Sequence, residues 1–218
     1  RYRFLTCRAS KMGADYLLTA HHLNDLTEDV LLRQIRGTGW PALAGMSAWL
    51  QESKILRPFL LTPKQELIDF VQACGQTWME DPSNQDLSFT RNRIRHHIVP
   101  LFLAENPGFL GQTADLWRQG QMDTEYWDLK LQDCICGERQ LPQGLLLPAE
   151  KLDNLHPAQR LRWYRHVLDR LGPGQSLAAN LFRLDRAWQK RAWNKRFQFP
   201  GNKEIRTTSQ GLLCSVSS

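Results

Sequence analysis

The densest group of residues able to do chemistry is Thr19-Ala20-His21-His22-Leu23-Asn24-Asp25-Leu26-Thr27-Glu28-Asp29. Asp25 and Glu28 are three positions apart, so in a helical first turn both carboxylates share one side. Such a pair can bind an ammonium or share Mg2+ through water. The same acids can also be no more than a cap and a helix-dipole partner, with Asn24 or Asp25 as the N-cap. His21 and His22 are types that ligate zinc, but adjacent histidines in an extended segment point to opposite faces. A second group is Glu80-Asp81-Pro82-Ser83-Asn84, followed by Thr90-Arg91-Asn92-Arg93-Ile94-Arg95-His96-His97. The Asp-Pro-Ser-Asn run predicts a turn rich in side-chain hydrogen bonds. If Thr90 caps a helix, Arg91 and Arg95 stack one turn apart, and their guanidinium forks suit phosphate. A basic surface helix is the competing reading.

The elements that must position these groups alternate between strand and helix. Tyr16-Leu17-Leu18-Thr19-Ala20 is a short apolar run, as expected of a buried parallel strand. A helical pattern follows, with Val30, Leu31, Leu32 and Ile35 as its apolar face and Arg36-Gly37 as its stop. Thr62-Pro63-Lys64-Gln65 reads as a capping box with Pro at the first helical position. Leu67, Ile68 and Val71 form the inner face of that helix, and Gly75 ends it. This order predicts an α/β domain whose helices cover a mostly parallel sheet, with ligands expected outside the carboxyl ends of its strands. The texture changes near Pro100, and Ala104-Glu105-Asn106-Pro107-Gly108 reads as a turn or linker. Amphipathic helices are expected over about 109–136, 157–171 and 178–190. Short strands are expected over 197–216, split at Pro200-Gly201-Asn202 and Gln210-Gly211. The domain boundary is placed at about residue 105, giving domains 1–105 and 106–218.

The chain has 218 residues, enough for a sizeable core without disulfides. Apolar residues make up 42% and charged residues 23%, which excludes wholesale disorder. No apolar run approaches the ~20 residues of a spanning helix, and nothing at the start reads as a signal peptide. The five cysteines form no C-x-x-C pair, so they are expected to be structural thiols in a reducing compartment, the cytoplasm. The net charge of +6 is unevenly spread, because residues 156–218 hold 12 Lys and Arg against 3 Asp and Glu. Such a surplus can be a nucleic-acid footprint or a solvated face. The candidate contacts are Arg160, Arg162, Arg165, Arg186, Lys190, Arg191, Lys195 and Arg196. Helical spacing puts Arg162, Arg165 and Arg186 on exposed sides and Leu161, Trp163 and Leu168 inward.

T-A-H-H-L-N-D-L-T-E, then R-G-T-G-W-P-A-L-A-G-M, R-P-F-L-L-T-P-K-Q-E-L and W-M-E-D-P-S-N-Q-D-L-S-F-T-R-N-R-I-R-H-H-I-V-P-L, resemble the second half of the catalytic domain of tRNA(Ile)-lysidine synthetases. The likeness covers residues 1 to about 103, and the segment from about 107 resembles, more loosely, the family's tRNA-contacting second domain. The resemblance implies a partial Rossmann-like domain of the adenine nucleotide alpha-hydrolase type, followed by a mainly helical domain with short terminal strands. It also implies a reaction. ATP activates C2 of the wobble cytidine, position 34, of tRNA(Ile) with a CAU anticodon. The ε-amine of free L-lysine then displaces AMP, and the tRNA changes from methionine to isoleucine identity.

Carried over by position, Asp25 and Glu28 match an acidic pair that binds lysine or Mg2+, and either could help deprotonate the amine. Arg95 and Arg1 match arginines that contact phosphate. His21, His22 and Asn84 fall in matching motifs, with His21 and His22 on the nucleotide side. Arg91, Asn92, Arg162, Arg165, Arg186 and Lys190 are the expected tRNA contacts. ATP and Mg2+ are the implied cofactors. The partners are the tRNA and free lysine, with no membrane, and a homodimer is compatible with the family. Asn24 departs from the common acidic residue and Asp29 from the usual threonine. The family's S-G-G-x-D-S loop is absent from the 218 residues, so it is expected upstream of Arg1. The alternatives are a non-catalytic tRNA-binding fragment or another PP-loop tRNA-modifying enzyme such as a thiolase, although Cys7 and Cys74 lie in neither motif.

Overall fold

The computed structural model describes residues 2–216, apart from the side chain of Arg3. The chain divides into two compact units, Arg1–Thr124 and Glu125–Ser218.

In the first unit a helix, α1 (Tyr2–Lys11), precedes β1 (Leu17–Leu18), which lies inside the expected apolar run. β1 pairs in parallel with β3 (Ile55–Leu56), and β2 (Trp49–Leu50) pairs antiparallel on the other edge of β3. The sheet is therefore mixed, not mostly parallel. Only four residues separate β2 from β3, with Lys54 at φ 51°. A connection that short makes a hairpin, whereas a parallel crossover needs a dozen residues or more.

α2 (Leu23–Ile35) buries Leu23, Leu26, Val30 and Leu31. Its N-cap is His22 rather than Asn24 or Asp25. His22 Nδ1 accepts the Asp25 N–H at 3.2 Å, and the Asp25 carboxylate accepts the His22 N–H at 3.1 Å. Asp25 thus sits at the third helical position of a reciprocal capping box. Gly37, at φ 71°, stops the helix after Arg36 as its sequence requires.

α3 (Lys64–Ala73) starts one residue later than expected. Pro63 is itself the cap residue and the Thr62 box does not form. The first free N–H, that of Lys64, donates instead to Asn24 Oδ1 at 2.9 Å. Asn24 therefore has a structural use, one that an acidic residue at this position would serve equally. Leu67, Ile68 and Val71 are half-buried on the inner face.

A 3-10 turn (Pro82–Gln85) leads to α4 (Thr90–Arg93), a π-helical turn (Ile94–Ile98) and α5 (Val99–Glu105). Phe89, not Thr90, occupies the cap position of α4. α6 (Phe109–Ile135) begins in this unit. There Ala114, Leu110, Leu116 and Trp117 pack with Leu23, Leu26, Val30 and Leu60. This packing carries the first unit past the boundary expected near residue 105. Gly120 is required at the same contact, since a Cβ there would collide with that of Ala44.

The second unit is an antiparallel sheet with helices. The strands are β4 (Arg139–Leu141), β5 (Gly144–Pro148), β6 (Arg196–Phe199), β7 (Lys203–Thr208) and β8 (Gly211–Val216), in the order β4-β5-β8-β7-β6. The helices are α7 (Ala149–Asp153), α8 (Pro157–Arg170) and α9 (Ala178–Gln189). The two long helices and the three terminal strands lie where the sequence predicts them. The β4–β5 hairpin was not foreseen, so the strands form one five-stranded sheet instead of a short tail. Trp163, Tyr164, Leu168, Leu184, Trp188, Ile205 and Leu212 fill its core. β7 alternates strictly, with Lys203, Ile205 and Thr207 buried. Lys203 tolerates this position because its Nζ donates to the carbonyls of Leu168, Gly172 and Gly174 at 2.9–3.0 Å.

Candidate active centre

The parallel strands β1 and β3 end side by side, with Thr19 N donating to Leu56 O at 2.9 Å. The His21-His22 segment and the start of α2 follow β1, and Arg57 follows β3. This is the carboxyl end of the parallel pair, where open α/β sheets present ligands.

Four charged side chains meet there. The Glu28 side chain is only 3% exposed. Its Oε1 accepts Arg95 Nε at 2.6 Å. Its Oε2 accepts Arg95 Nη2 at 3.0 Å and Arg91 Nε at 2.8 Å. Asp25 Oδ1 accepts Nη2 of both Arg91 and Arg95 at 3.3 Å. Arg91 and Arg95 come from α4 and the π-helical turn, more than 60 residues downstream of Glu28. Arg95 Nη1 also reaches Asn84 Oδ1 at 3.4 Å, and the Asn84 carbonyl lies 2.9 Å from His96 Nε2. The hydrogen bond to Glu28 raises the Arg95 pKa further, so this guanidinium keeps its charge throughout.

His21 and His22 serve different partners. His21 Nδ1 lies 2.8 Å from Thr19 Oγ1 and its Nε2 lies 3.5 Å from the Tyr2 hydroxyl. His22 caps α2, which requires a lone pair on Nδ1 and hence the neutral ring. Burial pulls both pKa values below the ordinary imidazole value, against the opposing pull of Asp25. A lowered histidine pKa means that the unfolded chain protonates first as pH falls. Stability of the first unit should therefore be flat above about pH 6.5 and decline below it. Urea midpoints at pH 7.5 and 5.5 check this. His22→Asn keeps a good cap and should lessen the decline; an unchanged decline would show that His22 does not cause it.

Glu28 does not fit Mg2+. Both its oxygens already accept guanidinium hydrogen bonds at 2.6–3.0 Å, and only 3% of its side chain is exposed. Asp25 also accepts on both oxygens, but through bonds of 3.1–3.3 Å and with 14% of its side chain exposed. Among the described residues no group of three His, Cys, Asp or Glu could hold a metal, so the zinc reading of His21-His22 gains no support either. All five cysteines are free; Cys134 and Cys214 are buried and the other three exposed.

The remaining sequence candidates scatter. Arg1 lies outside the described residues. Arg91 belongs to the ion-pair centre. Asn92 is buried and donates to the carbonyls of Ser83 and Asp86, both at 2.8 Å, so it fixes the turn that carries Asn84. Arg162 is half-buried rather than open: its guanidinium lies 3.8 Å from the Trp127 ring centre and donates to Ala158 O. Arg165 is half-buried. Arg160 is buried on Asp185, and Arg191 pairs with Asp153 at 2.8 Å.

Arg186 and Lys190 are exposed and share a cleft of about 700 Å³ with Arg183, Lys195 and Arg196; no carboxylate lines it. Arg183 was not singled out from the sequence, although its spacing of three from Arg186 places both on one face of α9. Arg57 was also missed. It is 6% exposed, donates to Ser47 O, and its Nε has no partner among the described residues.

A family profile described as a PP-loop domain matches residues 1–102. The tRNA(Ile)-lysidine synthase of Nitratidesulfovibrio vulgaris is 41% identical over 93% of this chain and 63% of that protein. The synthase of Enterococcus faecalis is 33% identical over 72% of this chain and 35% of that protein. That of Deinococcus deserti is 29% identical over 97% of this chain and 41% of that protein. The chain thus spans less than two thirds of the length of these relatives. Among the described residues no helix is long and apolar enough to cross a membrane. The α/β region with its charged centre at the strand ends, the PP-loop match and the likeness along 93% of the chain together place it in the tRNA(Ile)-lysidine synthase family of PP-loop proteins.

Proposed function

We propose that this chain is part of an ATP-dependent, cytoplasmic enzyme that joins L-lysine to C2 of cytidine 34 in tRNA(Ile) with a CAU anticodon. One observation carries the reading most: in a chain of this family, Asp25, Glu28, Arg91 and Arg95 converge at the carboxyl ends of β1 and β3. In the reaction the C2 carbonyl oxygen takes AMP from ATP and pyrophosphate leaves. The lysine ε-amine then attacks C2, AMP leaves, and the amine gives up a proton. The amine must be neutral to attack, and it is charged in water at pH 7. Asp25 keeps 14% of its side chain exposed, so it is the carboxylate able to orient that amine. Arg91 and Arg95 supply donors for the phosphoryl charge. The cationic cleft of the second unit offers a place for the tRNA backbone.

The test is nucleoside mass spectrometry after incubation with ATP, L-lysine and tRNA(Ile) bearing CAU. The natural protein that carries this chain should give lysidine, and its Asp25→Asn variant should give about 100-fold less. The 218-residue chain alone should give none. It contains no S-G-G-x-D-S loop, and ATP phosphates need a ring of backbone N–H donors opening a helix. Gly37 and Gly39 follow α2 instead of opening a helix. A lysidine peak from the chain alone would overturn this requirement.

A further inference from the structure

We propose that Glu28 is a positioning residue: its buried carboxylate sets Arg91 and Arg95 side by side as an anion-binding pair and receives neither the lysine ammonium nor a metal ion. The proposal rests on the lysidine-forming reading but parts from the role that the acidic pair was expected to share. A carboxylate offers about four acceptor sites. Three of those on Glu28 are filled by guanidinium donors at 2.6–3.0 Å, and 3% of the side chain remains exposed. An ammonium or a divalent cation would have to strip away an arginine and enter a sealed site.

Asp25 differs at each point. Its bonds to the same two guanidiniums are 3.3 Å long and its side chain is 14% exposed. The two acids therefore divide the work: Glu28 anchors, and Asp25 stays open to a ligand.

The anchoring leaves donors to spare. Glu28 takes the Nε of both arginines, while Arg91 Nη1 has no partner among the described residues and Arg95 Nη1 has only the 3.4 Å contact to Asn84. The two side chains are 39% and 30% exposed. Arg91 is thus held through Nε and Nη2 with Nη1 open, and Arg95 through Nε and Nη2 with one long contact at Nη1, which leaves donors for charge-assisted recognition of a phosphate. Arg91 joins this centre. Lysine could not replace either arginine, since an ammonium has no second edge to be held by.

Two measurements test the assignment. In the natural protein, Glu28→Gln should lower kcat for lysidine formation about 100-fold. The KM for lysine and the Mg2+ concentration for half-maximal rate should stay within about threefold, because neither ligand touches Glu28. A rise of about tenfold in either, or an undiminished kcat, would make Glu28 a ligand or a bystander and overturn the proposal. The second measurement does not depend on lysidine formation. Calorimetric titration of the 218-residue chain with inorganic pyrophosphate should show binding that Glu28→Gln and Arg91→Lys each weaken about tenfold. Arg91→Lys keeps the charge, so it serves should Glu28→Gln fail to fold. Equal pyrophosphate affinity in folded variants would refute the anion-binding pair even if lysidine is made. Loss of pyrophosphate binding in a protein that makes no lysidine would sink only the broader functional reading.

Discussion

Asp185→Ala should destabilise the second unit by about 3–5 kcal/mol, the usual cost of stranding a buried charge. Asp185 and Arg160 are 5% and 6% exposed. They form a two-point pair, Nε to Oδ1 at 2.7 Å and Nη2 to Oδ2 at 3.1 Å. The Tyr164 hydroxyl donates to Oδ1 at 3.1 Å and Gln189 Nε2 to Oδ2 at 2.8 Å. Arg160 Nη1 adds a 2.6 Å bond to Leu155 O, so α8, α9 and the turn after α7 meet at one ion pair. Burial and the Asp185 charge push the Tyr164 pKa far up, so that hydroxyl remains a donor. Removing the carboxylate leaves an arginine that cannot lose its proton. A domain of this size has only about 5–15 kcal/mol to lose. Urea unfolding followed through the buried Trp163 and Trp188 reads the change. A loss under about 1 kcal/mol would mean that water replaces the pair freely. Replacing both partners, Arg160→Met with Asp185→Leu, should cost far less than the single change, because no charge is left behind.

The second large effect is on RNA binding. Reversing Arg186, Lys190 and Lys195 to glutamate should weaken tRNA binding about 100-fold near 0.1 M salt and flatten the log K against log [salt] slope by about 2–3. Five of the twelve cations of 156–218 are engaged elsewhere. Arg160, Arg191 and Lys203 are spent on Asp185, Asp153 and backbone carbonyls. Arg170 pairs with Glu138 at 2.6 Å, and Arg162 lies on Trp127. Arg183, Arg186, Lys190, Lys195 and Arg196 line one cleft, and Arg196 alone of these has an acid near, Glu204 at 3.9 Å. Each phosphate neutralised releases condensed counterions, so lost contacts appear in the slope as well as in the affinity. Reversing Arg118, Arg139 and Arg170 is the control, since each already pairs with an acid. Equal slopes for the two triple variants would return the cleft to the status of a solvated face.

Much of the local architecture is legible in the residues alone. Periodic apolar positions mark α2, α6, α8 and α9, and glycine with left-handed backbone ends α2, because both signals act within one or two turns. The three terminal strands are legible for the same reason, since the 200–202 and 210–211 turns punctuate them. The spacing of Asp25 and Glu28 puts both on one side of α2, and the R-N-R-I-R run supplies three guanidinium forks, two of them four residues apart. Local spacing fails where a partner lies far along the chain. Nothing near Thr62 says that Asn24, forty residues from Lys64, accepts the first free N–H of α3. The β4–β5 hairpin shows its purpose only when β8, over sixty residues later, closes on β5. Among the charges the divide is sharpest. The sequence determined which residues are acidic or basic and which helix face they share. Only the tertiary structure decided that Glu28 is sealed by Arg91 and Arg95, that Arg160 is buried on Asp185, and that Arg183, beside Arg186, has no ion-pair partner among the described residues. Whether a charge binds a ligand or holds the fold depends on which opposite charge arrives within about 3 Å and whether water still reaches it. Both conditions are set by chain segments that no local pattern brings together.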